Sequence, residues 1–557
     1  MLKHRSVWSV ALGAIMLSVM VLSGCGPTGG SSSTTGGQPK YGGTVTDALY
    51  EQPDNLIVGQ SVETFAQLVM NTIWAPLVYI DSAGSLQPGL LSEIPSTSNG
   101  GYSSDFKTIT LKLRPGLKWS DGSPLTSADV VFTMKLMSNP AYAQKTGWKG
   151  SEIASITASD PQTIVVVLNK VDVTFVSYNL TDVLDFSPIP QAVYGSMDPS
   201  KITASPQAFQ PPVASGPFKI SERVPGSHIT VVKNSNYYQA GRPYLDKIVF
   251  NIITDQNTIL TAFQSGQIDA SWFLDVTKVA QYKSLAPNYA LALPKQAATW
   301  EGAFFNLYSS TNHILEDANV RKAIRMTVNT DAMIKNILGG TGQATCDDAP
   351  ATFAHATDLI PCNGYDPTAA GKLLDSDGWT MGSDNYRHKG GVTLELRWST
   401  TSKNNRREET ELAAQQDLKN IGVKIDIVNY PADTYFGTIL PNGTFDIGEY
   451  ASSATAGDPA DNTQWDCDQF PAAGGFNVMH WCDQTATTAD KAATTNPDQS
   501  FRKQQYHTLY TEIQSQVPMF FLYAYPDIAM ASAKLHNYAP GPFGPEETVA
   551  VWNWWLS

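Results

Sequence analysis

Three observations predict an α/β protein built from more than one domain. Residues 108–114 alternate polar with apolar side chains, and Ile109, Leu111 and Leu113 fall on one side as in a half-buried strand. Asp121-Gly122 then marks a tight turn, Thr126 followed by Asp129 has the spacing of a helix cap, and Val130, Met134 and Met137 repeat at helical spacing. Finally, 557 residues are too many for one hydrophobic core, so two or three domains are expected.

In chain order, residues 44–50 read as a strand, 51–55 as a turn and 62–74 as a helix, with a new extended piece at Leu77-Val78-Tyr79. The apolar run at 164–168 predicts a strand buried on both faces. A strand at 247–253 leads into a helix, and 300–307 forms another strand. Helices are expected at 317–331 and 366–379, the latter turning Leu373 and Leu374 toward a core. Further on come a strand at 394–398, a long amphipathic helix at 408–420, and strands at 422–428 and 444–447. No fixed-period repeat is apparent.

Apolar residues make up 42% of the chain and charged ones 16%, as in a well-packed soluble protein. The formal charge of −14 argues against a nucleic-acid partner. Lys3, His4 and Arg5 precede an apolar run at 7–21 that is short for a membrane span but fits the core of a secretory signal. It ends in Leu22-Ser23-Gly24-Cys25, which resembles a bacterial lipobox with Cys25 as the lipidated residue. Loss of residues 1–24 removes Lys3 and Arg5 and leaves a charge of −16. Residues 26–38 hold no apolar side chain able to anchor a fold and read as a flexible tether.

Cys346, Cys362, Cys467 and Cys482 remain, and an even number in an exported chain predicts disulfides. Of the three connectivities, local pairing of Cys346 with Cys362 and Cys467 with Cys482 is expected. A metal site using His355 or His480 is the alternative, but neither pair has the C-x2-C spacing of structural zinc. No catalytic signature is present. Gly339-Gly340-Thr341-Gly342 trails a helix and lacks a following Lys-Ser/Thr, so it reads as a helix-ending turn and not a phosphate loop. There is no G-x-S-x-G and no H-E-x-x-H, so neither a catalytic metal nor a cofactor is expected. An exported esterase or peptidase is the competing functional class, and the lack of any local signature argues against it.

The segment holding Trp119, Asp121, Gly122, Pro124, Thr126, Ala128, Asp129, Val130 and Phe132 resembles the W-[ST]-D-G-x-P-[LV]-[TS]-A-x-D-[VF]-V-[FY] string of the extracytoplasmic solute-binding proteins of peptide and nickel ABC importers, family 5. Ser215-Gly216-Pro217-Phe218, Asn236-Tyr237-Tyr238, Ser265-Gly266-Gln267-Ile268-Asp269, Asp317 with Val320 and Arg321, and Asp366-Pro367 through Trp379 match further family segments, so the resemblance runs from about residue 43 to 540. It implies a bilobal periplasmic-binding-protein-like fold (class II, cluster C) with mixed sheets, two lobes joined by a hinge, and an extra small domain. The expected division is signal peptide 1–24, lipid-anchored linker 25–40, a discontinuous lobe I of 41–79, 205–297 and 521–557, a small domain at 80–204, and lobe II at 298–520.

By the same resemblance the protein is an extracytoplasmic, lipid-anchored monomer that delivers a peptide or similar oligomeric solute to an ABC permease, with an oligosaccharide as the alternative solute. Trapping a solute needs a closing cleft and no cofactor. The implied solute contacts are Glu51 after the first strand and Trp300 at a lobe crossover, with Tyr523 near the return crossing as a further candidate; Tyr142 and Trp148, on the loop beyond the capped helix, either wall the ligand pocket or serve domain packing. In the loop after Ile447, family members commonly carry W-x-x-D-Y-x-D-P, whose first Asp pairs the peptide ammonium. Here Thr455 falls near that position, which leaves Asp458 or Asp461 as the candidate amine partner.

Overall fold

In the computed structural model, which describes residues 38–557 apart from 82–83, 295–296, 309–312, 432–433, 454–457, 460–463, 474 and 541–547, two large sheets organise the chain. The first has seven strands in the order Tyr289–Ala292, Ala529–Ser532, Ala270–Ser271, Thr44–Leu49, Lys247–Ile252, His228–Lys233 and Phe218–Val224. Its central strand, Thr44–Leu49, is parallel to both neighbours. The second has five strands in the order Lys424–Ile427, Glu395–Ser399, Ile447–Ser453, Thr299–Phe305 and Met519–Tyr525. These sheets form lobe I and lobe II of a bilobal α/β fold.

The chain leaves the first sheet after Ala292, enters the second at Thr299, and returns between residues 525 and 529. Phe521 and Tyr523, expected with lobe I, instead pair with Thr299–Phe305 inside lobe II, because their all-apolar strand needs burial on both faces. An apolar cluster continues through this junction, joining Ala48, Ile259 and Met530 of lobe I to Ala303, Leu396 and Trp398 of lobe II.

The small domain carries an antiparallel sheet of Thr108–Lys112, Thr163–Leu168 and Ile153–Asp160. Burial along Thr163–Leu168 alternates, so the expectation of two buried faces is corrected. Ile164, Val166 and Leu168 face the core while Thr163, Val165 and Val167 are half-exposed, as an antiparallel sheet with one solvated face allows. That core is continuous with lobe I, since Ile109 and Val166 belong to the same cluster as Val45 and Leu49. The helix Ser127–Met137 begins as its sequence predicts: the Ala128 amide donates to Thr126 Oγ1 at 3.3 Å and the Thr126 amide to Asp129 Oδ2 at 3.0 Å.

Both local disulfides are present, Cys346 to Cys362 and Cys467 to Cys482. Each closes a loop of 16 or 15 residues on lobe II, worth about 3 kcal/mol in restricted unfolded-chain entropy. Phe445 and Asp446 precede the strand Ile447–Ser453 instead of opening it. Asp446 bends away to accept from the Arg397 amide at 2.8 Å and its guanidinium at 3.2 Å, tying the turn to the neighbouring strand.

Candidate functional site

The first sheet presents the carboxyl ends of its parallel strands to lobe II, the position at which open α/β sheets bind ligands. Just beyond Leu49 and Ser271 the chain supplies Tyr50 and Phe273. These two rings, with Gln256 and Asp275, form the lobe I wall of an interlobe cavity of about 530 Å³, its open mouth included. Phe273 has φ +59°, a left-handed backbone rare for a bulky residue. Lobe II answers with Asn404, Arg406 and Tyr525, and Asp527 closes the hinge end.

The helix Asn405–Asn420 begins at this wall, its N-terminus capped by Asn404 Oδ1, which accepts from the Arg407 amide at 3.2 Å. Two arginines in a first turn oppose the helix dipole. They are compensated by Glu301, which is 0% exposed in the middle of Thr299–Phe305. Arg406 Nη1 donates to Glu301 Oε2, and Arg407 Nε to Oε1 at 2.7 Å. Arg406 also donates to the Tyr525 hydroxyl at 2.9 Å and stacks 4.0 Å from that ring centre, while Arg407 donates to Thr401 Oγ1 at 2.7 Å.

Burial pushes the Glu301 carboxyl up, but the two guanidiniums outweigh it and hold the group below the usual carboxylate range. Glu449 lies in the same core and accepts from Trp398 Nε1 at 2.8 Å. Burial, then the Glu301 charge, raise its pKa well above the ordinary value, with the Arg407 guanidinium acting the other way. Arg406 and Arg407 thus share Glu301 as their ion-pair partner at this wall.

The residues expected from sequence fall in different places. Glu51 is exposed beside Tyr50. Desolvation by the surrounding protein raises its pKa, with the Arg407 guanidinium acting the other way, which places the two in one electrostatic field. Tyr523 sits behind the cavity wall, 0% exposed, its hydroxyl 2.7 Å from Thr410 Oγ1 and 3.3 Å from Arg406. Trp300 points to the other face of its strand, into the lobe II core against Phe521 and Phe304, and is 1% exposed. Tyr142 is likewise internal, donating to the Val58 carbonyl at 2.6 Å.

Trp148 stacks on Phe186 in the small domain and borders a second cavity, between that domain and lobe II. Asp458 stands at the same seam: both its oxygens accept from Arg502, and Ser177 of the small domain donates to Oδ2 at 3.4 Å. The Val173 amide donates to the Thr494 carbonyl at 2.9 Å nearby. Asp461 lies outside the described residues, as does Cys25. Among the described residues no group of three or more His, Cys, Asp or Glu is arranged to hold a metal, and no helix is long and apolar enough to cross a membrane.

Sequence reasoning missed Tyr50, Phe273, Asn404, Arg406, Tyr525 and Asp527. A signal existed for part of this set: a lone Glu inside the apolar run of 299–305 requires a buried cation, and an Arg-Arg pair opening a helix requires a buried anion.

Comparison with known proteins agrees with this architecture. The chain is 25% identical over 580 residues to the oligopeptide-binding protein AppA of Bacillus subtilis (strain 168), covering 100% of both chains. The structure of AppA from Bacillus subtilis in complex with a nonapeptide superposes with a TM-score of 0.80 at 22% identity, covering 93% of this chain and 100% of that one. NikZ from Campylobacter jejuni in complex with Ni(L-His) superposes at 0.79 with 21% identity, covering 92% and 99%. Residues 86–472 match the family model described as bacterial extracellular solute-binding proteins, family 5 Middle, and with the two-lobed fold and its interlobe cavity this places the chain in the family 5 solute-binding proteins.

Proposed function

We propose that this protein captures a peptide or oligopeptide-like solute outside the cytoplasm by closing its lobes, as a monomer, and delivers it to an ABC permease. The observation that carries the reading is the interlobe cavity, whose wall combines aromatic faces from both lobes (Tyr50, Phe273, Tyr525) with two acids, an arginine, a lysine and three side-chain amides. Aromatic faces and a few fixed polar groups, enclosed away from water, are what a small-solute site requires. Arg406 on the lobe II wall offers a guanidinium to a solute carboxylate. The nonapeptide bound to the Bacillus subtilis relative supports a peptide as the solute class.

Glu51 and Asp458 belong to this proposal as contacts at the cleft and at the small-domain seam. Asp458 is engaged by Arg502, so it would serve a solute ammonium only by exchanging or sharing that partner. We further propose that lipid on Cys25 holds the protein at the membrane through the tether at residues 26–38. Native mass spectrometry of the protein purified from its own cells tests both parts. Peptide adducts released on denaturation, and a diacylglycerol-modified Cys25 in the N-terminal peptide, are expected. A sugar adduct would overturn the peptide reading, and an unmodified mature N-terminus would overturn the anchor.

A further inference from the structure

We infer that closing the hinge takes up a proton at Asp527. The inference rests on the lobe closure proposed above and concerns the residue at the hinge end of the same cavity. Asp527 stands on the return crossing between the lobes, two residues after Tyr525. Its Oδ2 accepts from Thr299 Oγ1 at 3.0 Å, and Thr299 opens the first strand of lobe II after the outward crossing. One carboxyl therefore ties the return crossing to the strand that follows the outward crossing. Its other oxygen, Oδ1, is buried with no hydrogen-bond partner among the described residues, and the residue is 7% exposed.

The surroundings explain why opening would matter. The cavity beside Asp527 is walled by Tyr50 and Asp275 of lobe I, Lys403 and Arg406 of lobe II, and Tyr525 on its own strand. Arg406 favours the ionised form of Asp527, but that guanidinium is already committed to Glu301 and Tyr525. Burial is the larger influence, and the Asp527 carboxyl is pushed up to about 7. Because the cavity has one wall on each lobe, separating the lobes admits water to its hinge end. A hydrated Asp527 then relaxes toward the ordinary carboxylate range, roughly three pH units lower. The closed form thus binds the proton more tightly than the open form, and raising the pH through about 7 must favour opening.

The test uses the full mature chain with one spin label on each lobe at exposed sites, Val224 and Leu412, and reads the interlobe distance distribution between pH 5.5 and 8.5. In the wild type the ratio of closed to open protein should fall by roughly tenfold or more across that window. Asp527→Asn, which keeps an acceptor for Thr299 but cannot ionise, should flatten the response. Thr299→Val, which removes a bond that favours the ionised form, should move the midpoint to higher pH. A wild-type ratio that does not change with pH, or an Asp527→Asn protein that keeps the full response, overturns the inference. Peptides recovered from the native protein serve as a control: if they shift the distribution while pH does not, only the proton linkage fails, and if neither shifts it, hinge closure fails as well.

Discussion

Replacing Glu301 with Gln is expected to destabilise the protein by about 3–5 kcal/mol, because it strips two buried guanidiniums of their only shared counter-charge. Glu301 is fully buried, and Arg406 and Arg407 are 6% and 8% exposed, so water cannot take over the lost interaction. Glu449, the other carboxyl in this core, accepts from Trp398 and makes no ion pair with either arginine among the described residues. The cost arises from the unpaired cations and not from a loss of net attraction, so the effects should not add. A triple Glu301→Leu, Arg406→Met, Arg407→Met variant should recover much of the stability while losing the Arg406 guanidinium from the cavity wall. Denaturant midpoints of the single and triple variants provide the measurement. A single variant within about 1 kcal/mol of wild type would show that the cluster is not held as described.

Asp47→Asn is expected to change how stability depends on pH. Asp47 lies in the central strand of the first sheet, 1% exposed, and faces Phe250 and Ala270 in register. Burial, then the charge of Asp269, raise its pKa from 3.8 to about 7. A carboxyl with a raised folded-state pKa supports the fold in its protonated form. Its contribution is complete below about pH 4 and is lost as the pH rises through 7. Between pH 5 and 8 this one group should therefore cost the wild type about 2–3 kcal/mol. Melting curves at both pH values should show a markedly smaller loss for Asp47→Asn. Equal losses in the two proteins would mean that Asp47 titrates normally and is hydrated.

What was legible in the sequence was mostly local. The Thr126 and Asp129 cap, the glycine turn after the helix Thr330–Asn336 and the disulfide pairing each depend on residues close together in the chain, so their chemistry can be read from spacing. Family motifs carried the bilobal fold, since they are spread along the whole chain. Burial on a given face was harder to read. The unbroken apolar run at 164–168 looks the same whether its second face is covered or merely half-exposed, and only the antiparallel partners decide.

The cavity wall was the least legible part. Tyr50, Arg406 and Asp527 are each more than a hundred residues apart in the chain and meet only because it crosses twice between the sheets. Trp300 illustrates the same limit from the other side. Its position in the crossover strand is right for a cleft residue, but alternation along the strand directs its ring into the core and gives the inward place beside Arg406 to Glu301.

The central claim is that a peptide is trapped by closure of the two lobes. Small-angle scattering of the ligand-free protein, before and after addition of the peptide recovered from it, tests this most directly, because a ligand shifts the hinge only to the extent that it prefers the closed form. A smaller radius of gyration at saturating peptide, with the peptide recovered intact, is the predicted result. Tight binding with an unchanged scattering curve, or cleavage of the peptide during the measurement, would contradict it.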